Sequence, residues 1–118
     1  MKSTVAILDN DPRQTAALCE LLQSHGWKSK TFVRYEDLAK DALSSDFRII
    51  ILNLDNINVD AVRIGKIGLI NNKSYIIALS SQFYHPGLKE AFRKHISVCI
   101  ANPVDLDELL YWLTTFEP

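Results

Sequence analysis

Several groups of polar residues stand where their side chains could share one chemical task. Each follows an apolar run of strand length, and the groups are Asp9-Asn10-Asp11, Asn53, Ser80 and Asn102. Between the runs lie segments whose apolar residues recur at the three- and four-residue spacing of a helix face. Alternating strands and helices predict an open parallel sheet with helices on both faces. Because the carboxyl ends of parallel strands share one edge, we expect these groups to meet there.

Strand and helix signals alternate along the chain. The strongest strand is at 48–52, where consecutive β-branched residues are typical of burial on both faces. Asp11-Pro12 favours a helix start, because it combines an N-cap with a proline at the first helical position. Gly65 and Gly68 weaken the prediction of a helix at 59–70. The other predicted strands are 4–8, 27–33, 75–79 and 96–101, and the other helices are one ending at Gly26, one at 35–43, one starting near Pro86 and one carrying Leu106, Leu109, Leu110 and Leu113.

The composition limits the classes of function. The 118 residues fit one domain, and 47% hydrophobic with 23% charged residues is typical of a globular protein. A net charge of -1, with basic residues scattered among acids, argues against direct nucleic-acid binding. The chain has neither a signal-peptide pattern nor a bilayer-length apolar run, so we expect a cytoplasmic location without membrane contact. Cys19 and Cys99 match no metal-ligand spacing, and we expect both to be reduced and buried.

The strand ends carry motifs in a characteristic order. They are Ile7-Leu8-Asp9-Asn10-Asp11-Pro12, Ile51-Leu52-Asn53 with the later Asp60-Ala61, Ala78-Leu79-Ser80-Ser81 and Ile100-Ala101-Asn102-Pro103. In these motifs the chain resembles the receiver domains of bacterial response regulators, the CheY-like superfamily, over nearly its whole length. The resemblance implies a flavodoxin-like (βα)5 fold, a doubly wound parallel five-stranded sheet with strand order 2-1-3-4-5. It also implies that residues 1–118 form one receiver-like domain, the N-terminal domain of a longer regulator.

Neutral amides stand at key positions of the family's phosphorylation site. Asn53 takes the place of the phosphorylated aspartate, and its carboxamide has no carboxylate oxygen to attack phosphorus. Asn102 replaces the family's lysine, and Asn10 replaces one acid of the pair that holds magnesium. Asp11 suits a helix cap better than a metal ligand. We therefore expect a degenerate pocket with no catalytic residue and no magnesium cofactor, although weak binding through Asp9 and Asp11 stays open.

Other residues of the family pattern are changed as well. The family's switch position in the fifth strand is usually aromatic, and here it is Cys99. Ser80 supplies a hydroxyl, which we interpret as a hydrogen-bonding group at the strand end. The resemblance places the aromatic residues of the last helix on the family's partner surface, which the fourth helix, fifth strand and last helix form. Both contact and packing roles stay open for those residues, which are Tyr111, Trp112 and Phe116.

Some residues that could do chemistry receive a simpler interpretation. Asp55 could be a displaced phosphoryl acceptor, but turn chemistry favours a solvated loop residue. His25 and His95 lie near predicted helix ends, where a histidine can cap carbonyl groups. His85 lies in a loop, and the histidines have no metal-ligand spacing.

These observations favour a pseudo-receiver, a signalling module that is not an enzyme and cannot be phosphorylated. It would regulate an effector domain, which we expect to be transcriptional and to belong to the same parent chain or to another signalling protein. A homodimer that forms through the partner surface stays open. One alternative is a receiver that still accepts a phosphoryl group at a non-standard residue in a two-component phosphorelay. Another is a flavodoxin-type ligand domain, which Asp9 and Asp11 oppose because they repel phosphate.

Overall fold

The computed structural model describes residues 3–70, 74–82 and 85–117. Within these residues, parallel strands alternate with helices in the sheet order β2-β1-β3-β4-β5, which confirms the expected topology. No helix of this part of the chain is long and apolar enough to cross a membrane. The elements are β1 Thr4–Leu8, α1 Pro12–Ser24, β2 Lys28–Phe32, α2 Tyr35–Ala42, β3 Ile49–Asn53, α3 Ala61–Ile70, β4 Tyr75–Ser80, a 3₁₀ turn Pro86–Leu88, α4 Lys89–Lys94, β5 Ile96–Ala101 and α5 Leu106–Phe116.

β3 is the central strand, and all of its residues are buried. Ile49 and Ile51 belong to a core shared with α1 and α5, whereas Ile50 and Leu52 belong to a core shared with α2, α3 and α4. Successive side chains of a strand point to opposite faces, so a strand covered on both sides must be apolar throughout. This burial fixes where the strand ends and therefore where Asn53 lies.

The first helix begins and ends as predicted. The Oδ1 atom of Asp11 accepts hydrogen bonds from the backbone N–H groups of Arg13 at 3.0 Å and Gln14 at 3.4 Å. Gly26 follows the C-cap residue His25 with a φ angle of 90°, a conformation that glycine adopts freely. The cap at Asp11, two residues after Asp9, fixes the start of α1.

Some element boundaries differ from the expected ones. Asn53 belongs to β3 rather than to the following loop, and it pairs with Leu79 of β4. α3 begins later than predicted, because Asp60 precedes it and accepts the N–H of Arg63 at 2.9 Å. The helix expected near Pro86 begins as a 3₁₀ turn, which is common at helix N-termini.

The expectation that both cysteines are buried was wrong for Cys99. Cys19 is half-buried in α1, whereas Cys99 is exposed on β5, and both are free thiols. β5 is an edge strand of the sheet, and its alternate residues Ser97, Cys99 and Ala101 are exposed. The predicted strand order placed β5 at the edge, but a continuous apolar run does not show which of its alternate residues are exposed.

His95 fills a groove between α3 and α4. A Cβ atom at Gly68 would lie 2.5 Å from Nδ1 of His95, and one at Gly65 would lie 3.6 Å from its Nε2. The imidazole therefore packs against the glycine face of α3, in addition to its place at the C-cap of α4. This packing accounts for two glycines in a helix whose formation they disfavour.

Glu117 joins the end of α5 to the start of the chain. Its carboxylate accepts hydrogen bonds from the backbone N–H and the hydroxyl of Ser3 and from the indole N–H of Trp27. Burial raises the pKa of Glu117, but these donors and the nearby charge of Arg48 outweigh it, so the pKa is lowered overall. Folding therefore favours the ionised form of this side chain.

We predict that Gly68→Ala is less stable than Gly65→Ala by about 1–3 kcal/mol, because only the former forces the imidazole of His95 to move. Both substitutions add a similar helix preference of about 0.5–1 kcal/mol, so their difference isolates the steric effect. The measurement is the urea midpoint of each variant. Equal midpoints would show that the glycine groove does not constrain His95.

We also predict that Glu117→Gln loses stability at neutral pH and that its deficit shrinks in acid. A carboxyl group whose folded-state pKa is lowered stabilises the fold above its ordinary value of 4.5. That contribution disappears as the pH falls through the folded-state pKa. Urea midpoints of wild type and variant from about pH 7 to about pH 3 measure it. Glu20→Gln, which changes an exposed carboxylate of α1, is the control, and a deficit that is constant with pH contradicts the assignment.

Candidate functional site

The polar groups that end the strands meet at one edge of the sheet. Asp9, Asn53 and Ser80 are the buried polar residues among those described, at 3%, 1% and 2% exposure. Asn102 is half-buried beside them and donates its backbone N–H to the carbonyl of Ser80 at 3.0 Å. Because buried polar groups are costly unless they are hydrogen-bonded, their partners define the site.

Neutral donors surround the carboxylate of Asp9. Its Oδ2 atom accepts from Nδ2 of Asn53 at 2.9 Å. Its Oδ1 atom accepts from Nδ2 of Asn56 at 3.0 Å and from the backbone N–H of Asp11 at 3.0 Å. No pattern in the sequence pointed to Asn56, since only the path of the loop after β3 brings it to Asp9.

Asn53 links the two halves of the site. Its Nδ2 atom faces Asp9, while its Oδ1 atom accepts from the backbone N–H of Asp55 at 3.2 Å and from Nδ2 of Asn102 at 3.1 Å. This orientation is fixed, because a carboxylate only accepts and a backbone N–H only donates. An amide satisfies both neighbours, whereas a carboxylate would set two anionic oxygens side by side.

Asp55 is anchored across the site, although its side chain is exposed. Its carboxylate accepts from Nδ2 of Asn102 at 2.8 Å, from the backbone N–H of Ser81 at 3.0 and 3.1 Å, and from the Ser81 hydroxyl at 3.1 Å. Burial raises the pKa of Asp55, but these donors and the charge of His85 outweigh it, so the pKa is lowered. The interpretation of Asp55 as a solvated loop residue missed this anchoring.

Ser80 forms hydrogen bonds at the end of β4. Its hydroxyl lies 2.8 Å from Nε2 of His85 and accepts the backbone N–H of Gln82 at 3.0 Å. The ring of His85 stacks on Phe92 of α4 with a centroid distance of 5.5 Å. His85 therefore connects the strand end to α4, a role that its place in a loop did not indicate.

Among the remaining predicted site residues, Asp11 joins this network only through its backbone N–H. Asn10 is exposed, and the side chain of Asp11 caps α1. Cys99, where the resemblance predicts a switch residue, lines a cavity of about 280 Å³. Partial desolvation of the thiol and the nearby charge of Asp55 raise the pKa of Cys99, which disfavours the reactive thiolate. The other residues that line this cavity are Ser80, Ser81, Gln82, Phe92 and Ala101.

The aromatic residues of α5 divide between packing and exposure. Trp112 and Phe116 are partly buried and pack against the core that α1 and α5 share. Phe116 also stacks on Tyr75 with a centroid distance of 4.3 Å. Tyr111 is 61% exposed, and its ring meets Trp112 edge-on. Tyr111 is therefore the residue of this group that is available for a contact.

The arrangement of donors does not fit a magnesium ion. Magnesium requires nearly octahedral oxygen ligands. Both carboxylate oxygens of Asp9 already accept N–H groups, and Asn53 and Asn56 turn their amide nitrogens, not their oxygens, toward it. Over 3–70, 74–82 and 85–117, no group of three His, Cys, Asp or Glu side chains could hold a metal ion.

Neither a family model nor a curated protein matches this sequence. Solved structures match nearly all of it. A signal receiver domain of an HD domain-containing protein from Pseudomonas fluorescens is 15% identical, with a TM-score of 0.85 over 98% of this chain and 86% of that one. A CheY-like response regulator receiver domain from Methanospirillum hungatei is 12% identical, with a TM-score of 0.85 over 99% and 98%.

A third similar structure is the receiver domain of a sensor histidine kinase from Pseudomonas aeruginosa, with magnesium coordinated in its active-site cleft. It is 14% identical, with a TM-score of 0.82 over 98% of both chains. At such identities the similarity establishes the fold. The chain therefore has the receiver fold of two-component response regulators.

We predict that Asn53→Asp destabilises the protein by about 2–4 kcal/mol at neutral pH, because the introduced carboxylate faces that of Asp9. Like-charge repulsion raises the pKa of the introduced group, so the loss is present at neutral pH and is relieved as the pH falls through that raised value. Urea midpoints at about pH 7 and about pH 5 measure this change.

Asn58→Asp adds the same charge at an exposed position of the same loop and is the control for this experiment. Its stability should stay within about 0.5 kcal/mol of wild type. An Asn53→Asp protein as stable as wild type at neutral pH would mean that Asp9 and Asn53 do not face each other as described.

Proposed function

We propose that this chain is a pseudo-receiver, a signalling domain that takes no phosphoryl group and regulates an effector through protein contacts. The supporting observation is the amide of Asn53, which lies at the strand end with its nitrogen on Asp9 and its oxygen facing Asn102. Phosphoryl transfer to a side chain requires a nucleophilic oxygen and cationic support for the charge that develops. The amides of Asn53 and Asn102 supply neither.

We also propose that the strand-end pocket keeps its structure without a bound metal ion. In the family that the sequence resembles, magnesium draws in the charge of the phosphoryl group. Here the carboxylate of Asp9 is already satisfied by the amides of Asn53 and Asn56 and by a backbone N–H. Neutral hydrogen bonds thus take the place that the ion has in a phosphorylated receiver.

The proposed partner is an effector domain, transcriptional by expectation, that contacts the face formed by α4, β5 and α5. Tyr111 is the large exposed aromatic side chain of α5 on this part of the molecule. Tyrosine is enriched at protein interfaces, because it combines apolar area with a polar group. Association of two copies through the same face is the homodimer alternative.

A second candidate function is a receiver that accepts a phosphoryl group at a non-standard residue, and Asp55 is the carboxylate that would serve. It is exposed at the site, and its pKa is lowered, so it is ionised. Both of its oxygens, however, accept hydrogen bonds from Ser81, and one also accepts from Asn102. These donors reduce its nucleophilicity, which favours the pseudo-receiver.

We predict that the wild-type protein gains no phosphoryl adduct during incubation with acetyl phosphate and magnesium. Asn53→Asp alone should label poorly, since Asn10 supplies no carboxylate for the metal and Asn102 supplies no positive charge for the phosphoryl oxygens. The triple variant Asn10→Asp, Asn53→Asp, Asn102→Lys restores all three groups and should label well. Intact mass spectrometry measures the fraction of each protein that carries the adduct.

A stoichiometric adduct on the wild type would overturn the pseudo-receiver proposal, and peptide mapping of that adduct to Asp55 would support the second candidate. Efficient labelling of Asn53→Asp alone would show that Asn10 and Asn102 matter less than proposed.

A further inference from the structure

The hydrogen-bond donors around Asp55 form a cradle for an oxyanion. The donors are the backbone N–H and hydroxyl of Ser81 and Nδ2 of Asn102, all within 3.1 Å of a carboxylate oxygen. We call these groups the oxyanion cradle. Backbone N–H groups, hydroxyls and amides that converge on one point are the usual means by which proteins bind anions.

The sheet holds the cradle in place. Ser81 directly follows β4, and Asn102 directly follows β5. These two strands pair up to Ser80 and Ala101, and the backbone N–H of Asn102 bonds to the carbonyl of Ser80. The donors are therefore fixed by the sheet, whereas Asp55 reaches them from the loop after β3. The carboxylate of Asp55 is therefore the member of this contact that another anion could replace.

The orientation of Asn102 supports an anion-binding role. Its Nδ2 atom donates to both Asn53 and Asp55, while its Oδ1 atom is buried with no hydrogen-bond partner among the described residues. Leaving a buried acceptor unsatisfied is costly. The amide nitrogen is thus directed at the anion at the expense of its own oxygen. The lowered pKa of Asp55 is in keeping with a surrounding that favours negative charge.

We propose that Asp55 is an internal occupant of the oxyanion cradle, and that the cradle binds inorganic phosphate when this carboxylate is removed. In the intact chain Asp55 supplies the anion permanently and holds the ends of β4 and β5 in the anion-bound arrangement. A small tetrahedral oxyanion is the matching ligand class, because three donors converge on the two carboxylate oxygens that its own oxygens would replace.

The test is titration of inorganic phosphate into ¹⁵N-labelled Asp55→Ala, followed by NMR at the backbone amide of Ser81 and the side-chain amide of Asn102. We expect saturable shifts at both groups and an affinity at least about tenfold above that of wild type. Asp55→Ser also removes the carboxylate and provides a second measurement. Sodium chloride at matched ionic strength should cause no saturable shift.

Three variants separate occupancy of the cradle from a change of charge. Asp55→Asn keeps the volume and should exclude phosphate, although it removes the same charge as Asp55→Ala. Asp55→Ala combined with Asn102→Ala lacks a cradle donor and should lose the binding again. Glu20→Ala removes an exposed charge on α1 and should match wild type.

Absence of saturable shifts at Ser81 in both Asp55→Ala and Asp55→Ser would overturn the proposal, as would equal phosphate affinity in wild type. Phosphate binding by Asp55→Asn as tight as that of Asp55→Ala would also overturn it, because charge rather than occupancy would then be the cause. The outcome is independent of the pseudo-receiver proposal, which acetyl-phosphate labelling of the wild type tests separately.

Discussion

The hydrogen bond from the amide of Asn53 to the carboxylate of Asp9 is the contact on which the strand-end site depends. Both side chains are almost fully buried, so neither can exchange its partner for water. A buried carboxylate needs donors, and here all of them are neutral N–H groups. This arrangement avoids the desolvation of a second charged group, which often offsets the attraction within a buried ion pair.

Amides suit this position because each one both donates and accepts. The bonds run from Asn53 to Asp9, from Asn102 to Asn53 and from Asn102 to Asp55. Two carboxylates are thereby held in one site with amides between them, so their like charges are kept apart. A single carboxylate in the place of either amide would bring two anions into contact or leave a donor unused.

The sequence predicted the frame of the site better than its contacts. Apolar runs locate the strands, and parallel topology then decides which strand ends meet, so Asp9, Asn53, Ser80 and Asn102 could be assigned together. The bonds of Asp55, Asn56, Ser81 and His85 depend on the paths of loops, which have no periodic pattern. The predicted strand order already placed β5 at the sheet edge, but the apolar run around Cys99 did not show that its side chain is exposed.

The contacts at the end of β4 bear on how such a domain could signal. The hydroxyl of Ser80 is held by His85, which stacks on Phe92 of α4, so the strand end and the helix are tied together. A ligand shifts a conformational equilibrium only through different affinities for its two states. In the proposed arrangement Asp55 already fills the oxyanion cradle. An external phosphoryl group would then have nearly the same affinity for both states and would not shift the equilibrium between them. In the proposed pseudo-receiver, the binding energy that selects a state would come from the proposed partner of the face formed by α4, β5 and α5.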